Sequence, residues 1–231
     1  MNILLSYLVH LFTLSGVLLS FLALNASINE DLPLAFFYLA LALFVDGIDG
    51  TLARKVDVVK NTPHINGEIL DNIIDFLSYV FIPAFIVFWL GFVPEGLELI
   101  SAFIILIVSC YTFANNNLKT QDYYFSGFPA LWNIYVLYCY LLDTTPYVNF
   151  AVLCLLAIFT FVPLKYVHPF RVNFLRKTSL FVITIWMITA IEMLYIESPS
   201  ELISQTSFSL WVATNIYFMG LTIYRSFLAK S

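Results

Sequence analysis

Long apolar runs separated by short polar connections fill this sequence. A membrane-spanning α-helix needs about 20 apolar residues, and on that basis we predict eight spans. The fifth is short, so either it extends back through Phe125 or it lies tilted. The predicted spans cover residues 5–25, 33–54, 68–92, 97–116, 128–142, 147–164, 178–196 and 204–226.

The composition makes the membrane the necessary solvent for most of these runs. Of 231 residues, 61% are hydrophobic and 11% are charged, whereas charged residues make up about 25% of ordinary soluble domains. A soluble fold of this length could not bury so much apolar surface. No repeat, low-complexity tract or linker divides the chain, so we expect an all-α, single transmembrane domain covering residues 1–231.

The distribution of charge predicts the orientation of the spans. When eight spans are threaded from a cytoplasmic N-terminus, all 10 Lys and Arg residues fall inside. Cytoplasmic enrichment of basic residues is the general topogenic rule. Both termini are therefore expected in the cytoplasm. The formal net charge of -5 argues against nucleic acid as a partner.

Four aspartates are the anomaly in this apolar sequence. Asp46 and Asp49 lie near the end of the second predicted span, and Asp71 and Asp75 lie near the start of the third. An aspartate at the centre of a span costs about 2.5–3.5 kcal/mol on insertion scales. Such residues face the bundle interior and mark a functional site by default.

The spacing of the aspartates favours a metal site. Asp46 and Asp49 are three residues apart, and Asp71 and Asp75 are four apart, so each pair shares one helix face. Carboxylates crowded together repel unless cations hold them ionised. Ligands that are all oxygen favour Mg²⁺ or Mn²⁺, and two divalent ions would balance four carboxylates in a geometry suited to phosphoryl transfer.

Small and basic residues beside the aspartates add a second signal. Gly47 and Gly50 each cost about 0.8–1.0 kcal/mol in a helix relative to alanine, which suggests that a ligand approaches the backbone closely. Arg54, one to two turns beyond Asp49, is placed to donate to phosphate oxygens.

Two other interpretations of the aspartates compete with an enzyme site. They could be interfacial charge at polar helix ends, or they could line the path of an ion-coupled transporter. A transporter should carry a second acidic or broken helix in its later half. Beyond Asp75 the spans carry acids only near their outer ends, at Glu98 and Glu192.

At these residues the chain resembles the CDP-alcohol phosphatidyltransferases. Their motif is D-x2-D-G-x2-A-R, a spacer, then G-x3-D-x3-D. All fixed positions of the motif are filled here, by Asp46, Asp49, Gly50, Ala53, Arg54, Gly67, Asp71 and Asp75. Twelve residues separate Arg54 from Gly67, where the family usually has eight or nine. This long spacer, the segments FSGFPALWN and VHPFRV, and the eight spans are similar to the bacterial branch of the family that uses choline.

The resemblance implies roles for the matching residues. Asp46, Asp49 and Asp71 would bind metal, and Asp75 would bind metal and take the proton of the attacking alcohol. Asp49, Gly50, Ala53, Arg54 and Gly67 would line the CDP site. The implied reaction transfers the phosphatidyl group of CDP-diacylglycerol to choline and releases CMP, or uses serine, inositol or glycerol 3-phosphate as another acceptor.

The resemblance also implies partners and a location. We expect Mn²⁺ or Mg²⁺, two ions, as cofactor, and membrane lipids and a second copy of the chain as partners. The active site is expected to face the cytoplasm from a bacterial inner membrane. Candidate choline or phosphate contacts are Tyr79, Trp132 and Arg171, because proteins hold quaternary ammonium groups against aromatic faces and phosphates with arginine.

The orientation can be tested with a reporter fused after Ser231. The reporter should be active in the cytoplasm, because an even number of spans and a cytoplasmic N-terminus place all basic residues inside. A C-terminus that is shielded from cytoplasmic probes but labelled from outside would contradict the eight-span topology.

Overall fold

The structure is a computed structural model that describes residues 2–115, 124–167, 172, 174–195 and 201–228. Two short strands accompany the helices: β1 Tyr124–Ser126 and β2 Lys165–Val167. π-helical turns occupy Phe76–Phe81 and Tyr224–Leu228. The α-helices are α1 Asn2–Ile28, α2 Leu32–Val56, α3 Val58–Asn61, α4 Gly67–Asp75, α5 Ile82–Trp89, α6 Glu98–Ala114, α7 Trp132–Leu141, α8 Pro146–Phe159, α9 Arg176–Tyr195 and α10 Glu201–Ile223.

Each of the eight predicted spans contains helix in the described part of the chain. Four helical segments are long and apolar enough to cross a membrane: Ile3–Ile28, Leu32–Val56, Gly67–Trp89 and Arg176–Tyr195. Helices α6 and α8 are apolar but shorter, with 17 and 14 residues. The expectation of a helical membrane protein is therefore confirmed, while eight complete crossings stay a prediction.

The fifth predicted span begins later than the sequence suggested. Extension of this helix back through Phe125 is wrong, because Tyr124–Ser126 form β1, which pairs antiparallel with β2. Between β1 and α7 the backbone reaches φ +91° at Gly127 and φ 56° at Ala130. A right-handed helix cannot continue through left-handed residues, so α7 starts only at Trp132.

The chain divides into two compact units. The first contains residues 1–113 and 131–150, and the second contains residues 114–130 and 151–231. In the first unit α1 packs along α2 and also contacts α4 and α5. In the second unit α9 packs against α10, and α10 contacts β2.

Small residues allow α1 and α2 to pack closely. Ala23 and Ala26 of α1 and Ala35 of α2 are at most 3% exposed. In lipid the hydrophobic effect does not drive helices together, so their association depends on van der Waals contact. Small side chains such as these let the two backbones approach and make that contact. The tight turn before α2 ends at Asp31, whose carboxylate accepts the Leu34 N–H at 3.1 Å and caps the helix.

Polar contacts join elements inside the second unit. The hydroxyls of Ser179 in α9 and Tyr217 in α10 lie 2.9 Å apart, and Ser207 donates to Glu192 at 2.6 Å. The guanidinium carbon of Arg225 lies 4.8 Å from the ring centroid of Tyr124 in β1. These interactions tie α10 to α9, and the π-helical turn after α10 to the strand pair, within this unit.

A glycine in α1 allows α4 to pack closely against that helix. A Cβ added at Gly16 would lie 2.6 Å from Cγ2 of Ile74, a separation at which atoms must move. Ile74 is 4% exposed and stands between Asp71 and Asp75 in sequence. The position of Gly16 therefore sets how closely α4, and the carboxylates it carries, approach α1.

We expect Gly16→Ala to lower the free energy of unfolding by about 1–3 kcal/mol, because inserting a methyl group into a packed interface forces displacement. Thermal unfolding in detergent measures this change. Gly220→Ala is the matched control, since nothing lies within 4 Å of a Cβ at this helical glycine. Adding Ile74→Leu, which removes the Cγ2 branch, should restore part of the loss; equal losses in Gly16→Ala and Gly220→Ala would contradict the contact.

Candidate metal centre

The end of α2 delivers the first pair of aspartates. Asp46 and Asp49 lie within the last three turns of the helix, which stops at Asp57. Asp57 adopts a left-handed conformation, and its N–H donates to the carbonyls of Ala53 and Arg54. Aspartate tolerates this conformation better than most residues, so the helix ends there and the chain turns back toward α4.

The long connection between α2 and α4 is fastened to α1. Thr62 is fully buried, and its hydroxyl lies 3.0 Å from the His10 Nε2. One turn earlier on α1, the Tyr7 hydroxyl lies 3.1 Å from the His64 Nε2. Sequence reasoning gave these residues no role, although His10 is a polar side chain in an apolar helix, which is a signal for a buried partner.

Helix α4 then begins with a regular cap. The side-chain oxygen of Asn66 accepts the N–H groups of Glu68 and Ile69, each at 3.1 Å. This capping satisfies donors that the first turn of a helix leaves open. The cap fixes the residue at which α4 starts, and therefore the position of Asp71 along the helix relative to the end of α2.

Three of the four predicted aspartates come together. Asp46, Asp49 and Asp71 each offer a carboxylate oxygen, and these oxygens all lie within 4.8 Å of one another. This bound is slightly wider than the about 4.2 Å that at most separates two oxygen ligands of one Mg²⁺ ion, each 2.0–2.1 Å from the metal, so small side-chain shifts would bring all three oxygens to one ion. Asp49 is only 6% exposed. Three close carboxylates, one of them buried, repel unless cations are present, so the residues fit a divalent metal site.

Asp75 is not part of this group of close oxygens in the described chain. It is the last residue of α4, and the π-helical turn Phe76–Phe81 follows directly. In that turn the Ile82 N–H donates to the Leu77 carbonyl, five residues earlier. Turns of this kind appear mostly as single insertions in α-helices and frequently at functional sites.

The side chain of Tyr79 enters the carboxylate cluster. Its hydroxyl donates to Oδ2 of Asp46 at 2.6 Å. The residue is 6% exposed. Tyr79 was predicted as a choline or phosphate contact; that role stays a prediction, and the structure places its polar atom on a carboxylate. The four-residue steps from Asp71 to Asp75 to Tyr79 were the sequence signal for this shared face.

The other motif residues lie on the helices that carry the cluster. Gly50 and Ala53 are partly buried on α2, and Arg54 is exposed with its guanidinium donating to the Thr51 hydroxyl at 3.2 Å. Gly67 is exposed at the first position of α4. Arg54 is thus an exposed residue one to two turns beyond Asp49 on α2.

Trp132 and Arg171 are the two remaining candidate contacts for choline or phosphate. Trp132 is fully buried, and its indole N–H donates to the Ser109 hydroxyl at 2.8 Å. Its ring packs edge-on against Tyr135 with centroids 5.7 Å apart. Arg171 lies outside the described residues. Both roles therefore stay predictions.

The fold and the cluster together define a class: a polytopic membrane protein whose paired helices gather carboxylates suited to divalent cations. The chain belongs to the CDP-alcohol phosphatidyltransferase family, which it matches over residues 5–162. The resemblance identified from the aspartate motif is thereby confirmed, and that matched region contains all four aspartates.

Curated relatives match nearly the whole chain. A phosphatidylcholine synthase of Pseudomonas aeruginosa is 42% identical over 218 residues, which cover 94% of this chain and 90% of the relative. A phosphatidylcholine synthase of Rhizobium meliloti is 35% identical over 94% of this chain and 86% of its own length. One from Legionella pneumophila is 34% identical over 96% and 87%.

We expect Asp49→Asn to weaken Mn²⁺ binding strongly. Loss of a residue that only supports a metal ligand lowers the affinity by about 10–100-fold, and loss of a ligand itself should cost more than that. The amide keeps the shape but removes the charge that attracts the ion. Titration of Mn²⁺ into purified protein, followed by the electron paramagnetic resonance signal of the free ion, measures the effect. Asp57→Asn makes the same change at the exposed end of α2, outside the cluster, and should bind Mn²⁺ normally. Equal affinity in both variants would exclude Asp49 as a ligand.

Proposed function

We propose that this protein synthesises phosphatidylcholine by transferring the phosphatidyl group of CDP-diacylglycerol to choline with release of CMP. The observation that carries the proposal is the meeting of Asp46, Asp49 and Asp71 on two neighbouring helices. Relatives named for this synthesis match at least 94% of the chain in the three comparisons above. An ion-coupled transporter has no support from this family membership.

The motif residues around the cluster suit the binding of the nucleotide. Arg54 carries a permanent positive charge and five donors that fit phosphate oxygens, and it is an exposed residue on the helix that carries Asp46 and Asp49. Gly50 and Ala53 leave space beside Asp49 on the same helix. We assign this face of α2, together with Gly67 at the start of α4, to the CDP part of the substrate.

The reaction requires one displacement at phosphorus. The choline oxygen attacks the phosphorus that bears diacylglycerol, a new O–P bond forms, and the bond to the bridging oxygen of CMP breaks. CMP departs with that oxygen and its electron pair. Bound divalent cations supply charge stabilisation for the pyrophosphate and the leaving CMP.

Asp75 is the candidate base for this displacement. It follows Asp71 by one turn but stands outside the group of close carboxylate oxygens in the described chain. A carboxylate at the edge of the cluster can accept the choline proton while the other three hold metal. We propose Asp75 as base and additional metal contact, and Mn²⁺ or Mg²⁺, two ions, as the cofactor.

The remaining features of the proposal concern the whole molecule. We propose a single functional domain of eight spans in a bacterial inner membrane, with both termini and the carboxylate cluster on the cytoplasmic side. The location of the 10 basic residues supports this orientation. A homodimer is proposed from the family resemblance alone.

The scarcity of basic residues and the abundance of aromatic ones favour choline over other alcohols as the acceptor. A glycerol 3-phosphate acceptor would need basic partners, and Lys119 is the single Lys or Arg between Lys60 and Lys165 in the sequence. Choline carries a permanent cation that no hydrogen bond can satisfy, and aromatic faces meet that need. With 18% aromatic residues, the chain supplies them amply.

We expect purified protein to release CMP from CDP-diacylglycerol faster with choline than with serine, inositol or glycerol 3-phosphate at matched concentration. Excess chelator should abolish the release, and Mn²⁺ or Mg²⁺ should restore it, because the crowded carboxylates require cations to bind the pyrophosphate. Asp49→Asn is the blank and Asp57→Asn the active control. Faster release with another alcohol would assign a different acceptor and leave the family chemistry unchanged. Full activity in excess chelator would show that the mechanism does not use a metal.

A further inference from the structure

The hydrogen bond between Tyr79 and Asp46 has a consequence for metal binding. We infer that Tyr79 is a positioning residue, which fixes the Asp46 carboxylate so that it presents one oxygen to the metal. This inference deepens the proposed function, because it concerns the same site. It rests on the 2.6 Å contact from the Tyr79 hydroxyl to Oδ2 of Asp46.

The length of this bond marks it as a strong one. Bonds from a hydroxyl to a charged oxygen are typically 2.5–2.7 Å long and roughly twice as strong as neutral pairs. The donated bond engages Oδ2 and so restrains the orientation of the whole Asp46 carboxylate. Partners of metal ligands orient those ligands and tune their affinity in this way.

Tyr79 lies in a buried stretch of the chain. The residue is 6% exposed, and its neighbours Ser78 and Val80 are also buried, Val80 completely. The residue lies in the π-helical turn between Asp75 and α5. A side chain whose rotamer is locked by packing can hold a ligand to within the tolerance that a metal site requires.

This burial separates the positioning role from a choline contact. A quaternary ammonium group must reach the face of the ring, within about 6 Å of its centroid, whereas a positioning role needs only the hydroxyl. Tyr79→Phe keeps the ring and removes the hydroxyl, so the two roles give opposite expectations for this one substitution.

We expect Tyr79→Phe to weaken Mn²⁺ binding by about 10–100-fold, measured without substrate from the signal of free Mn²⁺. The metal concentration needed for half-maximal CMP release should rise by a similar factor, while the KM for choline at saturating metal stays unchanged. Tyr135→Phe is the matched control. Tyr135 is a buried tyrosine of the same unit, 5% exposed, whose hydroxyl donates to the Asn149 carbonyl at 2.9 Å.

Two outcomes would overturn the inference. Unchanged Mn²⁺ affinity in Tyr79→Phe would exclude a role for the hydroxyl, and a raised KM for choline with unchanged metal affinity would assign the residue to the substrate instead. Thermal unfolding without metal checks that each variant folds, and the increase in Tm on adding Mn²⁺ gives a second measure of binding. Because Mn²⁺ binding is measured without CDP-diacylglycerol or choline, a wrong acceptor would leave this test intact.

Discussion

The repulsion among carboxylates gathered inside an apolar bundle is the constraint on which the rest of this structure depends. Asp46, Asp49 and Asp71 bring ligating oxygens within 4.8 Å of one another, and Asp49 is 6% exposed. Such a cluster is tolerable only where cations and hydrogen bonds offset the charge. Two surrounding features address this need: the caps at the end of α2 and the start of α4, which fix where these helices stop and begin, and a buried tyrosine that donates to one carboxylate.

Close helix packing is the second requirement, because metal ligands must be held to within about 0.5 Å. Gly16 lets α1 approach Ile74 on α4 so closely that even a methyl group would collide. The connection from α2 to α4 is fastened to α1 through the contact of Thr62 with His10. Helix α1 carries none of the aspartates, yet it packs against both helices that do and contacts the connection between them.

The sequence predicted the features that follow from periodicity and charge. Helices at the eight apolar runs, and the approach of Asp46, Asp49 and Asp71, follow from period 3.6 and from a single connection between two successive antiparallel helices. The strand pair β1–β2 was not predicted, because Tyr124–Ser126 and Lys165–Val167 lie far apart in sequence and each is only three residues long. Similarly, the spacing of Tyr79 gave its helix face, but the direction of its hydroxyl depends on the π-helical turn and on packing from other helices, which no local pattern encodes.

The same geometry bears on the roles that we propose for the four aspartates. Asp71 and Asp75 are separated by one turn of α4, yet only Asp71 joins the group of close carboxylate oxygens among the described residues. Asp75 ends the α-helical stretch, and the wider π-helical turn begins immediately after it. A carboxylate at the edge of a metal site is a suitable general base, which is the role we propose for Asp75. On the proposed mechanism, the change of helix type after Asp75 falls where the task changes from holding metal at Asp71 to accepting a proton at Asp75, and one face of α4 would supply both functions.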